Sequence, residues 1–334
     1  MIIDDYTLTS SLGKGTCAEV FLTSKKGSST QYATKLIDKS SPSYTNDFQR
    51  YLENEISILQ AIDHPNILKC IEVKNTENKV YIVTEYCNGG TLENYMLKHQ
   101  LKDKTGLSEE IVQHIMKQVV NALDYLSNKK IMHRHITLDN LMINYENEED
   151  KKNNNILKGT IKLIDFGFSR YLKQDELAYT VLGSPINMSP LLLTKLNDTK
   201  TNIKVGYTEM EDVWSLGTVC FELLIGKPLF DSDDMNELTE KMNKGDYYLP
   251  ITLSKEAISF IKEMLQFEPK NRSNYGELKN HKFLTKKVSE FSKVDLNGFQ
   301  NSITEGGPQI LLNIQSKNLV WIVCQLEAKK FLEE

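Results

Sequence analysis

Two glycines one residue apart, Gly13 and Gly15, lie between two runs with strand character, residues 6–12 and 19–23. The pattern predicts a β-hairpin with a tip free of Cβ atoms, where backbone amides can come close to an anion. The glycines precede a strand and not a helix, which disfavours a dinucleotide fingerprint or a P-loop. By itself the pattern also describes an ordinary hairpin turn. The sequel narrows it. Residues 31–37 read as another strand, ending in Tyr32-Ala33-Thr34-Lys35, with the lysine flanked by apolar residues. Residues 47–62 then carry Phe48, Leu52, Ile56 and Leu59 at helical spacing, with Glu55 among them. A lysine held by a carboxylate is an ordered point charge that can position phosphate oxygens.

His64-Pro65 ends this helix, and residues 69–73 and 80–86 read as two more strands. From Leu92 the pattern turns helical, with Ser108 as N-cap of an amphipathic helix over residues 111–126. A β-rich part followed by an α-rich part predicts an α+β, two-lobed fold. The joint falls near residues 87–90, where Asn88-Gly89-Gly90 interrupts the pattern. The expected organisation is a small lobe over residues 1–87, a larger helical lobe over 88–284, and a tail over 285–334 packed back on the larger lobe or free to offer a partner-binding helix. Residues 145–158 and 196–207 are polar runs expected to be solvated loops.

Charge and cysteine usage exclude several function classes. A net charge of −5 and a pI near 5.8 argue against a general nucleic-acid binder, which needs a basic face. The five cysteines, Cys17, Cys70, Cys87, Cys220 and Cys324, are scattered without paired spacing, so they fit neither a disulfide framework nor a zinc site. No run reaches the roughly 20 apolar residues needed to span a bilayer, and residues 1–6 do not resemble a signal peptide. A soluble, intracellular (cytoplasmic) protein with reduced thiols is expected.

Further motifs identify a family. His133-Arg134-His135-Ile136-Thr137-Leu138-Asp139-Asn140 resembles the catalytic loop of eukaryotic-type protein kinases, and Asp165-Phe166-Gly167 matches their metal-binding motif. Gly183-Ser184-Pro185 through Ser189-Pro190 resembles the end of the activation segment. Asp212-Val213-Trp214-Ser215-Leu216-Gly217 resembles the start of the large helix of the C-lobe, and Arg272 stands at the family's late arginine. The resemblance runs from about residue 6 to 284. Residues 85–90, 165–170 and 183–185 are most similar to the ULK, autophagy-initiating, serine/threonine kinases.

The resemblance implies ATP and Mg²⁺ as cofactors and a protein as substrate or partner. It implies that Lys35 pairs with Glu55 and steadies the α- and β-phosphates. Leu12, Gly13 and Gly15 would cover the nucleotide, and Val20, Ala33 and Met142 would enclose the adenine. Thr84 would be the gatekeeper, with the backbone of Glu85 and Cys87 bonding the adenine edge. Asn140 and Asp165 would supply hard oxygen ligands to Mg²⁺. Ala18 replaces a third glycine, a mild change. Leu59, His133 and Phe166 would form an apolar spine between the lobes. Thr180 would be an activation-segment phosphosite answered by Arg134, or an unmodified threonine.

Four positions depart from the pattern. His135 stands where the family has the aspartate that accepts the substrate hydroxyl's proton. Thr137 replaces the lysine that contacts the γ-phosphate, Asn187 replaces a tyrosine, and Leu191 replaces the glutamate that pairs with the late arginine, leaving Arg272 without that partner. General-base help is worth about 10²–10⁴-fold, or roughly 3–5 kcal/mol. Two readings follow: an ATP-binding pseudokinase with impaired transfer and a scaffolding or regulatory role, or an active serine/threonine kinase in which the His135 imidazole takes the proton.

Overall fold

The computed structural model describes residues 2–15, 18–103, 105–167, 169–171, 184–197, 208–232, 234–245, 247, 249–250 and 252–293. The chain begins with β1 (Ile2–Ile3), β2 (Tyr6–Lys14), β3 (Ala18–Lys25) and β4 (Gln31–Asp38), passes through helix α1 (Asn46–Ala61), and continues as β5 (Cys70–Asn75) and β6 (Lys79–Glu85). These six strands form one antiparallel sheet in the order β1-β2-β3-β4-β6-β5. Strand alternation gives the sheet two faces. Ile37, Val80 and Ile82 join the main core with Leu52, Ile58 and Leu59 of α1. Leu8, Leu36 and Tyr81 form a separate small cluster. Thr45 caps α1 by accepting from the Phe48 amide, and the buried stripe of α1 includes Glu55.

The rest of the described chain is mainly helical, in the order α2 (Leu92–Asp103), α3 (Glu109–Asn128), β7 (Ile131–Met132), β8 (Leu141–Asn144), α4 (Glu148–Lys152), β9 (Thr160–Leu163), β10 (Arg170–Tyr171), α5 (Pro190–Asn197), α6 (Glu209–Ile225), α7 (Met235–Lys244), α8 (Lys255–Met264), α9 (Tyr275–Asn280) and α10 (Lys282–Thr285). The Ser108 hydroxyl accepts from the Ile111 amide and opens α3, as its sequence predicts. Helix α6 is buried almost all round, which makes it the pillar of the C-lobe. Two short antiparallel pairs, β8–β9 and β7–β10, stand beside the junction of the lobes. No helix among the described residues is long and apolar enough to cross a membrane.

The joint is fastened by backbone bonds. Gly89 N donates to Ile143 O at 2.8 Å, and Ile143 N donates to Gly90 O at 2.8 Å. A Cβ on Gly89 would lie 2.7 Å from that Ile143 oxygen, so only glycine fits. Lys162 of β9 adds an ion pair to Glu85 of β6 at 2.8 Å.

Three expectations need restating. Residues 145–158 are not a solvated loop: Tyr145 and Ile156 are buried in the core, and the polar residues between them form α4, capped by Asn147. Two apolar anchors at the ends of a polar run are enough to order it. Of residues 196–207, only the last two residues of α5 lie inside the described residues. The tail packs on the core at Phe291, whose ring lies 5.5 Å from that of Phe283, and beyond Lys293 it falls outside the described residues.

Candidate functional site

The sheet register brings several predicted residues onto one face. Val20 pairs with Lys35, Lys35 with Ile82, and Ala33 with Thr84. Directly opposed residues in an antiparallel sheet point the same way, so Val20, Ala33, Lys35 and Thr84 share the face that looks toward α1. Val20 and Ala33 are half-buried, as is Met142 of β8 across the joint. Gly13 opposes Val20 at the end of the first hairpin, and Gly15 N donates to Ala18 O at 2.8 Å, tightening the turn. Leu12 is exposed on β2. Thr84 is buried, and its hydroxyl donates toward the Ala33 and Glu85 carbonyls. Glu85 turns its carboxylate to the Lys69 amide and Lys162 ammonium, so its side chain is committed to structure. Cys87 is buried, which pushes its thiol up to about 12 and makes it inert.

Helix α1 sits close to the sheet. The Lys35 ammonium donates to both Glu55 carboxylate oxygens, at 2.8 and 2.9 Å. Burial works against the charge on Lys35, but the Glu55 carboxylate outweighs it and holds the ammonium above its usual value. Asn54, beside Glu55, donates to the Ser169 carbonyl at 2.5 Å and ties the helix to the segment after Gly167.

The loop between β7 and β8 is held from below. Asp212, in the first turn of α6, accepts from the His133 and Arg134 amides, each at 2.8 Å. Arg134 and Asp165 both adopt left-handed backbone, at φ 70° and 62°. That conformation is uncommon outside glycine and marks a backbone shaped by its surroundings. The buried His133 ring meets Phe166 edge-on at 5.0 Å and bonds the Ile164 carbonyl at 2.9 Å. Burial lowers His133 to about 4, so it is neutral at physiological pH. Leu59 is buried in the same core cluster as Phe166.

Around His135 the geometry is close. Its Nδ1 lies 3.0 Å from Asn140 Nδ2 and 3.5 Å from Asp165 Oδ2. Asn140 Nδ2 also donates to the His135 carbonyl at 2.9 Å, which leaves the amide oxygen as the group Asn140 can offer a metal. Asp165 Oδ1 accepts from the Gly167 amide at 3.3 Å. Burial raises the Asp165 carboxyl, but the His135 imidazole and the charge of Lys35 outweigh it and hold it at about 2, so the carboxylate is ionised. The Asp165 carboxylate, within reach of the Lys35 charge, and an amide oxygen of Asn140 are donors of the kind that suits a hard divalent cation bound with phosphates.

The residues around the start of α6 have a different character. Arg272 keeps a partner despite Leu191. Its Nη1 lies 3.3 Å from Glu211 Oε1 in a buried ion pair and donates to Met210 O at 2.7 Å. Its other nitrogens bond the Gln266 and Phe267 carbonyls, and the guanidinium lies 5.2 Å from the centre of the Trp214 ring. The expected loss of a partner is therefore corrected: a glutamate on α6 takes the place. Leu191 itself is exposed on α5. Asn187 is buried, donating to the Thr218 hydroxyl at 2.8 Å and accepting at its carbonyl from Ser215. Thr180 lies outside the described residues.

Sequence reasoning missed Glu93 on α2. A hydrogen bond with Asp139, then burial, then the charges of Asp139 and Glu222 push its carboxyl up to about 7. These three acids come from α2, the loop and α6, and no local spacing links them.

The sequence profile described as "Protein kinase domain" matches residues 6–284. A probable myosin light chain kinase of Dictyostelium discoideum is 32% identical over 288 residues, covering 85% of this chain and 84% of that protein. The serine/threonine-protein kinase PLK4 of Danio rerio is 30% identical over 91% of this chain. The serine/threonine-protein kinase ATG1a of Arabidopsis thaliana is 30% identical over 89%. The matches span only 30% of that PLK4 and 44% of that ATG1a.

Proposed function

We propose a function from one premise: the chain belongs to the protein kinase domain family. It binds ATP with a divalent cation and is impaired in transferring the γ-phosphate, acting as a pseudokinase whose nucleotide-bound form engages a protein partner. Lys35 would hold the α- and β-phosphates, Asn140 and Asp165 the cation, and Val20, Ala33 and Met142 the adenine, with Thr84 behind it and the Glu85–Cys87 backbone at its edge. Gly13, Gly15 and Leu12 would cover the phosphates. The lobes meet at residues 87–88. Mg²⁺, when bound, would supply positive charge that offsets the charge of the phosphates.

The observation that carries this reading is an asymmetry. The Lys35–Glu55 pair is closed at 2.8 Å, and Asp165 and Asn140 each lie beside His135. His135, by contrast, directs Nδ1 at Asn140 and Asp165, so that nitrogen is turned toward the cation ligands and away from the role of a general base. Thr137 adds no cationic side chain for the transferring phosphate. The alternative, an active serine/threonine kinase that uses His135, draws support from the kinase activity in the relatives' names. ATG1 relatives support a likeness to the ULK group.

Thermal-shift titration tests the binding half. ATP with Mg²⁺ is expected to raise the melting temperature, and Asp165→Asn to remove most of the rise. No shift with ATP and Mg²⁺ overturns the reading.

A further inference from the structure

We infer that Lys162 is a positioning residue for the nucleotide's base: through Glu85 it fixes the backbone at the base edge, and so sets a preference for a 6-amino purine over a 6-oxo purine. The inference rests on the nucleotide-binding reading above, which puts Met142 against the base and the Glu85 backbone at its edge. That reading gives Lys162 no task, yet the residue is only 8% exposed. A lysine is rarely taken out of water, and burying one costs free energy that a pairing must offset.

The sheet register places this lysine. In the β8–β9 pair Lys162 stands directly opposite Met142. Opposed residues of an antiparallel pair point to the same face, so the lysine stem lies beside the Met142 side chain. From there its ammonium reaches β6, donating to Glu85 Oε1 at 2.8 Å. One side chain thus joins the residue against the base to the residue at its edge. Glu85 is held from a second direction. Its Oε1 also accepts from the Lys69 amide at 2.7 Å, and its own amide donates to the Lys69 carbonyl at 3.0 Å. These two bonds close a ring between Glu85 and Lys69, and Lys162 locks it from β9. The Glu85 backbone cannot twist without breaking one of the three.

The clamp matters because β6 ends at Glu85, so no further residue of that strand holds the next peptide. The Glu85 carbonyl lies 3.1 Å from the Thr84 hydroxyl, on the side of the residue placed behind the base. A carbonyl only accepts. A 6-amino purine offers it an N–H, whereas a 6-oxo purine offers a second acceptor. A fixed carbonyl keeps that distinction, because it cannot turn away from the oxo group. A carbonyl free to turn relaxes and loses it. The charge-assisted bond from Lys162 is the strongest single restraint on this end of β6.

The test is calorimetry on the full chain with Mg²⁺ and either ATP or GTP. The wild-type protein is expected to bind ATP more tightly than GTP. Lys162→Met keeps an apolar stem and removes the charge, and should shrink that ratio about three- to tenfold, the worth of one well-oriented hydrogen bond. Glu85→Ala should shrink it by a similar factor, and the double variant no further, because both act through one contact. A purely structural role would lower both affinities together and leave the ratio where it was. An unchanged ratio in Lys162→Met overturns this inference and leaves the nucleotide reading standing. So does a double variant whose loss is the product of the single losses, or a wild-type protein that binds ATP and GTP alike. If Lys162→Met does not fold, Glu85→Ala decides by the same ratio. No binding of either nucleotide by the wild-type protein overturns the nucleotide reading and this inference with it.

Discussion

The proposed nucleotide side and the proposed substrate side of this fold differ in how they relate to the kinase pattern. On the proposed nucleotide side, the Lys35 ammonium meets the Glu55 carboxylate at 2.8 Å, and Asn140 and Asp165 both approach His135. On the proposed substrate side, where the resemblance marks His135, Thr137, Asn187 and Leu191 as departures, Arg272 and Asn187 nevertheless have partners. Glu211 takes up Arg272, and Asn187 binds Thr218 and Ser215. The difference teaches that support of the fold and chemistry of the site are separable. Buried polar groups must be satisfied for the chain to fold, so altered positions there are compensated. A proton acceptor is needed only for turnover, and folding places no such demand on it.

The comparison can be broken at its strongest compensating contact. Arg272→Ala strands the Glu211 carboxylate in the core and is expected to cost about 3–5 kcal/mol in chemical denaturation. Glu211→Gln should cost less, about 1–3 kcal/mol, because three carbonyl bonds to Arg272 remain. A loss under 1 kcal/mol on Arg272→Ala would mean that the ion pair is not what restores this side.

Acid comes next. His133 titrates at about 4 in the fold, below the ordinary histidine value of 6.5. Between those values the unfolded chain holds a proton that the native one does not, so stability is full above pH 6.5 and falls as pH drops toward 4. The slope is about 1.4 kcal/mol per pH unit for this one group. Melting curves across the window should show the decline, and His133→Gln should flatten it. An unchanged slope in that variant would remove His133 from the account.

The smallest effect concerns Leu191. Restoring the family's glutamate, Leu191→Glu, should change stability by less than about 0.5 kcal/mol, because Arg272 is already paired and residue 191 is exposed. A clear gain would show that Glu211 is an inferior substitute.

Much of this was legible in the sequence, for physical reasons. Strand alternation and the Ser108 cap are local signals, and the sheet and α3 follow them closely. Lys35 and Glu55 are legible because a strand and the next helix bring them together. Three features were not. Residues 145–158 look solvated by composition, but two buried side chains among fourteen decide their order, and averaging over the run hides them. Glu211 lies 61 residues from Arg272, and only the packing of α6 selects it as a partner. Glu93, Asp139 and Glu222 meet across three segments for the same reason. Spacing finds what secondary structure joins, and it misses what tertiary packing joins.

The central claim is that nucleotide holding is kept while transfer is impaired. Its most direct test is phosphate transfer from γ-labelled ATP, at a concentration that saturates the thermal shift, to the protein itself and to a serine/threonine peptide library. The account predicts that incorporation by the wild-type protein equals the background of His135→Ala. Incorporation well above that background, lost on His135→Ala, would contradict it and make His135 the base of a working kinase.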